Sequence, residues 1–76
     1  MTLAFVLINT DLGREKNVIQ ELGRIAGVSE AYLAYGVYDI VVKVEAETQE
    51  RVKDIVFSRI RKLDGVRSTL TLVEVD

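Results

Sequence analysis

The residues best suited to bind a ligand form one short segment, Tyr35-Gly36-Val37-Tyr38-Asp39. A glycine in a turn lets backbone N–H groups approach an anion closely, and a carboxylate just after it can accept hydrogen bonds from an ammonium group. Together these groups match both charges of a zwitterion such as a free amino acid. The simpler interpretation is a hairpin turn in which Asp39 accepts hydrogen bonds from nearby backbone donors. The segment alone does not choose between the two.

Composition excludes most catalytic chemistry. The 76 residues contain no His and no Cys, so imidazole and thiol catalysis, zinc fingers and disulfides lack the side chains they need. The acid–base candidates are Asp39, Tyr35, Tyr38 and the glutamates, and nothing in the sequence converges on Asp39. A general base needs a reachable proton and a matched pKa. We therefore expect a protein that is not an enzyme and that uses neither a metal nor a cofactor.

Charge and hydropathy predict the compartment of the chain and the partners that it does not bind. The net charge of −2 is spread over both halves, so neither half has the positive field that phosphate binding needs. Direct DNA binding is not expected, and we interpret the cluster Arg59, Arg61 and Lys62 as a solvated helix end. The longest apolar run, Leu3–Ile8, has six residues, whereas a membrane helix needs roughly 20. A cytoplasmic protein without membrane contact is predicted.

Hydrophobic periodicity divides the chain into six elements. The run Leu3–Ile8 is typical of a strand buried on both faces, and apolar residues at spacings of three and four indicate two amphipathic helices. Thr48 is the predicted N-cap of the second helix, whose apolar stripe leaves Phe57 outside. Gly36 is the predicted hairpin turn. The predicted elements are strand 3–8, helix 14–26, strand 28–35, strand 38–46, helix 48–64 and strand 66–75.

The two halves of the chain are copies of each other. A shift of 38 residues aligns Gly27-Val28 with Gly65-Val66, and the buried positions of the first helix with those of the second. Two βαβ units of this kind predict one α+β domain over residues 1–76. Its expected fold is a ferredoxin-like βαββαβ sandwich with a four-stranded antiparallel sheet and both helices on one face.

The repeat also predicts an apolar sheet face away from the helices, which we call the open face. Val42 and Val44 should point to the helices, and Tyr32, Ala34, Leu70 and Leu72 are predicted to do the same. At 49% hydrophobic residues, so short a chain has more apolar side chains than one small core hides. Dimerisation through this face is the direct expectation, and a monomer with a half-exposed sheet is the alternative. The predicted interface residues are Leu3, Phe5, Leu7, Leu33 and Val73, and Ala31, Tyr35, Thr69 and Thr71 are predicted to share the face.

These motifs resemble the RAM domain, the ligand-sensing domain of the Lrp/AsnC (feast/famine) transcription regulators. The resemblance covers nearly the whole chain. Its specific part is the spacing between the glycine-aspartate turn, continued by Ile40, and the second Gly-Val at Gly65-Val66. The run 41–46 and the hydroxyl residues of the last strand agree with it. Each motif is short, and their order on one fold makes the combination specific.

The resemblance implies an assembly and a ligand. Domains of that family dimerise through their sheets, and the dimers form tetramers, octamers or larger rings. Amino-acid effectors bind at the contact between dimers, beside the glycine-aspartate turn. The implied ligand-binding residues are Gly36, Val37, Tyr38 and Asp39, with Tyr35 as a turn neighbour and Thr69 and Thr71 at the hydroxyl positions of the last strand.

The usual regulator carries a helix-turn-helix domain before this unit, whereas the first strand here begins at Leu3. A stand-alone RAM domain is therefore expected, acting through a helix-turn-helix paralogue or another partner rather than on DNA. The leading hypothesis is a non-enzymatic, oligomeric amino-acid sensor that modulates transcription. The alternative is a purely structural assembly module that binds no ligand.

Overall fold

Four antiparallel strands form a single sheet in the computed structural model, which describes residues 1–75. The strand order is β2-β3-β1-β4, so the first and third strands are central and the second and fourth are edges. The predicted ferredoxin-like fold is confirmed. Its elements are β1 (Thr2–Thr10), α1 (Glu15–Leu22), β2 (Val28–Leu33), β3 (Ile40–Ala46), α2 (Gln49–Asp54), a π-helical segment (Ile55–Ile60) that continues α2, and β4 (Val66–Val73).

The core lies between the two central strands and the helices. Strand β1 contributes Val6 and Ile8 and strand β3 contributes Val42 and Val44, all with no exposed surface. Their alternation with less buried neighbours shows that one face of each strand is covered. Within one chain β1 is therefore covered on one face, and burial of both faces would require a second subunit on the open face. The helices cover the core with Val18, Leu22, Val52, Ile55, Val56 and Ile60, and the turn after α1 adds Ile25.

The second helix begins at the predicted N-cap and changes from an α-helix to a π-helix after Asp54. The hydroxyl of Thr48 accepts a hydrogen bond of 3.1 Å from the backbone N–H of Arg51, which confirms the N-cap. From Ile55 to Ile60 the helix is π-helical, and the backbone N–H of Arg61 donates to the carbonyl of Val56 at 2.9 Å. This five-residue hydrogen bond suits the five-residue spacing between the buried Ile55 and Ile60. Within residues 1–75, no helix is long and apolar enough to cross a membrane.

The face assignment is right for the central strands and wrong for the edges. Directly paired residues of antiparallel strands share a face. Val73 is opposite Ala4 and Leu33 is opposite Ile40, so both point to the helix side rather than to the open face. Ala31, Thr69 and Thr71 also point to the helix side, whereas Tyr32, Leu70 and Leu72 occupy the open face.

The repeat and the pairing explain this inversion. Tyr32 and Leu70 are equivalent by the 38-residue shift, and both lie on the open face. The repeat therefore aligns Tyr32 and Leu70 correctly, but both point to the open face and not to the helix side as predicted. Strand β4 alternates clearly, with Leu70 and Leu72 on one side and Thr69 and Thr71 on the other. Because both faces of the sheet carry apolar residues, the alternation does not say which side meets the helices, and only the register against the central strands decides.

Candidate functional site

The glycine-aspartate turn joins β2 to β3 and is attached to the sheet at its base. The backbone N–H of Ala34 donates to the carbonyl of Asp39 at 2.8 Å, and the N–H of Asp39 donates to the carbonyl of Ile8 at 2.9 Å. At the tip, Gly36 has φ +131°, a conformation that disfavours other residues. A Cβ atom added there would meet nothing within 4 Å. The tip is therefore open on all sides, with Tyr35 and Val37 exposed.

The Asp39 carboxylate has a structural role. Its Oδ2 atom accepts hydrogen bonds from the backbone N–H of Thr10 at 2.9 Å and from the Thr10 hydroxyl at 3.4 Å. Thr10 ends β1 and is buried, so these contacts hold the turn against the central strand. The simpler interpretation of the segment thus accounts for one carboxylate oxygen. Across residues 1–75, the Oδ1 atom makes no hydrogen bond.

A cleft of about 310 Å³ lies beside this carboxylate. Arg67 lines it together with Asp39, so a cation and an anion face the same space. The guanidinium Nε of Arg67 lies 3.7 Å from Oδ1 of Asp11, and both side chains are mostly exposed. Opposite charges on two sides of one cleft match the carboxylate and ammonium of a zwitterion. The remaining lining residues are polar: Asn9, Thr10 and Ser68.

Sequence reasoning missed Arg67 because its position depends on a strand irregularity. Ser68 pairs with Asn9 and Val66 pairs with Thr10, so Arg67 is the additional residue of a bulge in β4. Bulges redirect side chains at sheet edges and next to functional sites. The signal available in the sequence was its position directly after Gly65-Val66, the second half of the repeat.

The structure brings together only part of the predicted ligand set. Gly36, Val37, Tyr38, Asp39 and Tyr35 lie in the one turn. Of these five only Asp39 lines the cleft. Thr69 and Thr71 do not line it, because their side chains point to the helix side opposite Ile8 and Val6. The hydroxyl of β4 that lines the cleft belongs to Ser68, which accepts a hydrogen bond of 3.3 Å from the amide of Asn9.

A larger cleft of about 390 Å³ lies at the opposite end of the sheet, where Thr2 pairs with Ala46. Its lining includes Glu45 and Arg51, but each is already in an ion pair, Glu45 with Lys43 at 3.6 Å and Arg51 with Asp54 at 2.6 Å. We assign the candidate site to the smaller cleft because the Asp39 carboxylate of the glycine-aspartate turn lines it and its Oδ1 atom accepts no hydrogen bond within residues 1–75.

The open face combines apolar residues with one charged cluster. Leu3, Phe5 and Leu7 lie there as predicted, since they pair with Glu45, Lys43 and Val41 on β3. Phe5 is 40% exposed, and its β4 neighbours Leu70 and Leu72 are 45% and 52% exposed. On the β2–β3 side, Lys43 lies 3.4 Å from Glu30 and 3.6 Å from Glu45, and the Tyr32 hydroxyl donates to Glu30.

Comparison with known proteins identifies related sequences. Two helix-turn-helix-type transcriptional regulators are similar over 75 residues, one from Pyrococcus furiosus at 39% identity and one from Pyrococcus horikoshii at 36%. Each match covers 95% of this chain and 50% of the relative, so the chain spans about half the length of the curated relatives it matches. A homocitrate synthase from Saccharolobus islandicus is 46% identical over 55 residues, which are 72% of this chain and 12% of the enzyme.

Solved structures share the fold. The structure of FFRP-DM1 has a TM-score of 0.93 and 36% identity, and the match covers 99% of this chain and 100% of that one. The protein TTHA0845 from Thermus thermophilus has a TM-score of 0.95 and 33% identity, covering 100% and 95% of the two chains. A Neisseria meningitidis transcriptional regulator, solved in complex with L-Met, shares the fold with a TM-score of 0.86 at 10% identity, over 99% of this chain and 50% of that one.

The family model described as the Lrp/AsnC ligand binding domain matches residues 3–75, nearly the whole chain. The predicted resemblance is therefore confirmed: this chain belongs to the Lrp/AsnC ligand-binding (RAM) domain family.

Proposed function

We propose that this chain is a non-enzymatic, oligomeric amino-acid sensor that modulates transcription through partner regulators. In this proposal a small amino acid binds beside the Gly36–Asp39 turn, at a contact between two dimers. The observation that carries the proposal is the cleft that both Asp39 and Arg67 line, so that it offers one anionic and one cationic side chain. Asp39 Oδ1 and the turn backbone would hold the ammonium and carboxylate groups together with Arg67.

The comparisons support a ligand-binding role for this part of the relatives. The family is described by ligand binding, and a fold neighbour was solved with L-Met. The similar segment also occurs in transcriptional regulators and, as a small fraction of the chain, in a homocitrate synthase. An effector-binding module is the role that both kinds of protein could share.

The proposal includes assembly because a single chain covers the candidate site on one side only. The turn tip is exposed, and the cleft at its base is open to solvent on this chain. A second dimer packed against the tip would enclose a ligand and exclude water, which strengthens hydrogen bonds to charged groups. Dimers would form through the open face, with Phe5, Leu7, Leu70 and Leu72 in the contact in place of Leu33 and Val73.

A thermal-shift screen against the common amino acids tests the ligand. A compound present at 100 times its Kd should add about 2.7 kcal/mol to the stability of the folded protein. Asp39→Asn is the informative variant, because an amide oxygen can still accept from the Thr10 N–H while the charge is lost. We expect Asp39→Asn and Arg67→Gln to lose the shift while both proteins stay folded.

Glu47→Gln is the matched control, since it removes an exposed carboxylate that lines neither the turn nor its cleft. It should keep the full ligand-induced shift. If no amino acid stabilises the wild-type protein, or if Asp39→Asn responds as the wild type does, the sensing proposal is wrong.

A purely structural assembly module is the second candidate function, favoured by the hydrogen bonds from Thr10 that already occupy one Asp39 oxygen. It requires the apolar open face and no ligand. Light scattering with and without amino acids separates the candidates: a sensor changes its oligomer distribution or its stability, whereas an assembly module forms the same oligomers in both conditions.

A further inference from the structure

A second candidate binding surface is a groove of about 260 Å³ between the second helix and the edge strand β4. We call it the Phe57 groove; its lining residues are Val52, Lys53, Val56, Phe57, Thr71 and Val73. The volume is below the roughly 300–1,000 Å³ of small-molecule pockets, so the groove suits a side chain of a protein partner better than a free ligand. It shares no lining residue with the cleft beside Asp39.

Phe57 is the groove residue that the fold does not need. The same helix fills the core with Val52, Ile55, Val56 and Ile60, whereas Phe57 is 54% exposed. It lies within the π-helical segment, and such segments are rare and occur frequently at functional sites. Aromatic residues at the rim of an apolar pocket are typical anchors of protein interfaces.

Positive charge borders the groove. Lys53 lines it, and the guanidinium of Arg61 lies 5.0 Å from the centre of the Phe57 ring. Neither cation has an ion pair among the described residues 1–75, and the nearby Asp54 is already paired with Arg51 at 2.6 Å. The net charge of the chain is −2, so this positive patch is opposite in sign to the charge of the whole chain. A complementary partner carries acidic residues around an apolar one.

Strand β4 offers backbone hydrogen bonds to such a partner. It is an edge of the described sheet, so one row of its N–H and C=O groups has no strand beside it. The side chains of Thr71 and Val73 point to the helix side and into the groove. A peptide added along this edge would direct alternate side chains into the groove.

We propose that the Phe57 groove binds an extended acidic segment of a partner protein. The segment pairs with the edge of β4, inserts an apolar side chain beside Phe57 and places carboxylates against Lys53 and Arg61. A nucleic acid fits less well, since binding of single strands uses several stacking rings and a basic channel, and this surface has one exposed ring. The proposal does not depend on amino-acid binding at the turn.

Fluorescence anisotropy tests the proposal with a labelled peptide of about eight residues in which serines separate alternating glutamates and leucines, so that the glutamate and leucine side chains share one face of the strand. Two probe controls carry lysine in place of glutamate or serine in place of leucine. We expect saturable, salt-sensitive binding of the glutamate-leucine peptide alone. Phe57→Ser and Lys53→Glu should each weaken it about tenfold or more. Two matched controls, Leu12→Ser and Lys16→Glu, change an exposed apolar residue and an exposed lysine outside the groove and should leave binding unchanged.

Three outcomes would overturn the proposal. The first is no saturable binding of the glutamate-leucine peptide to the wild-type protein, or equal binding of the lysine-leucine peptide. The second is complete displacement of the peptide by a single-stranded oligonucleotide, which would indicate a nucleic-acid surface. The third is a smaller oligomer for Phe57→Ser in light scattering, which would show that a second copy of this chain occupies the groove.

Discussion

The helix-side face and the open face of the sheet both carry apolar side chains, but only the helix-side face is covered within one chain. On the helix side, Val6, Ile8 and Val44 have no exposed surface. On the open face, Phe5 and Leu72 on adjacent strands keep 40% and 52% of theirs. The helices therefore account for the stability of one face, and the other retains apolar surface that a second subunit could remove from water. The following predictions test that division of roles.

Truncation of the core should have the largest effect. Ile8→Ala leaves a cavity beneath both helices, and we expect it to lower the free energy of unfolding by about 2–5 kcal/mol in urea denaturation. Leu12→Ala is the control, since Leu12 is 98% exposed and should change stability by about 0.5 kcal/mol or less. Equal effects at the two positions would contradict the assignment of the core.

A charge on the open face should affect association more than folding. Phe5→Lys places an ammonium among Leu70, Leu72 and Leu7, and burial of a Phe side chain contributes about 1.5–3 kcal/mol. We expect the apparent dimer Kd to rise about tenfold or more in light scattering, with circular dichroism unchanged. A wild-type protein that is monomeric at micromolar concentration would show that the open face is not an interface.

Substitution of two glycines compares a backbone position packed against the core with one that is open to solvent. Gly27 and Gly36 have φ of +100° and +131°, so alanine is strained at both. A Cβ on Gly27 would lie 2.5 Å from Cδ1 of the buried Ile55, whereas a Cβ on Gly36 meets nothing within 4 Å. Gly27→Ala should therefore lower the thermal midpoint clearly more than Gly36→Ala, whose cost we expect to be about 1 kcal/mol. The reverse order would mean that the turn is packed against another chain.

Removal of one charge from the open-face cluster should have the smallest effect. Glu30 and Lys43 are 3.4 Å apart and partly exposed, and pairs of this kind contribute about 0–1 kcal/mol. In the Phe5→Lys background, where association is removed, Glu30→Gln should change the urea midpoint only slightly. A large loss of stability there would show that the cluster supports the fold itself.

Prediction from the sequence was best where patterning is strong. The apolar stripes placed Val18, Leu22, Val52 and Ile60 in the core, and the hydroxyl of Thr48 predicted the start of the second helix. The glycine-aspartate turn was found because its residue types are rare in strands and common in turns. Each of these signals is local, so the residues near it in sequence are sufficient to interpret it.

The sequence did not show where the edge strands point or which residue faces Asp39. Leu33 and Val73 are predicted on the wrong face because both faces of the sheet carry apolar residues, so the alternation in the edge strands fits either face. A register difference of one residue exchanges the two faces. Arg67 was missed because a bulge in β4 directs it to the cleft. The π-helical segment around Phe57 was likewise hidden within a regular helical pattern.

The amino-acid sequence by itself determined the order of the elements, the repeat, the membership of the family and the turn with its glycine and aspartate. These features follow from residue types and from hydrophobic periodicity, both of which are evident over a few neighbouring positions. Only the tertiary structure decided which apolar residues remain on the open face, and that Asp39 is held by Thr10 and shares a cleft with Arg67. Those outcomes depend on strand register and on pairing between residues far apart in the chain, which no local pattern encodes.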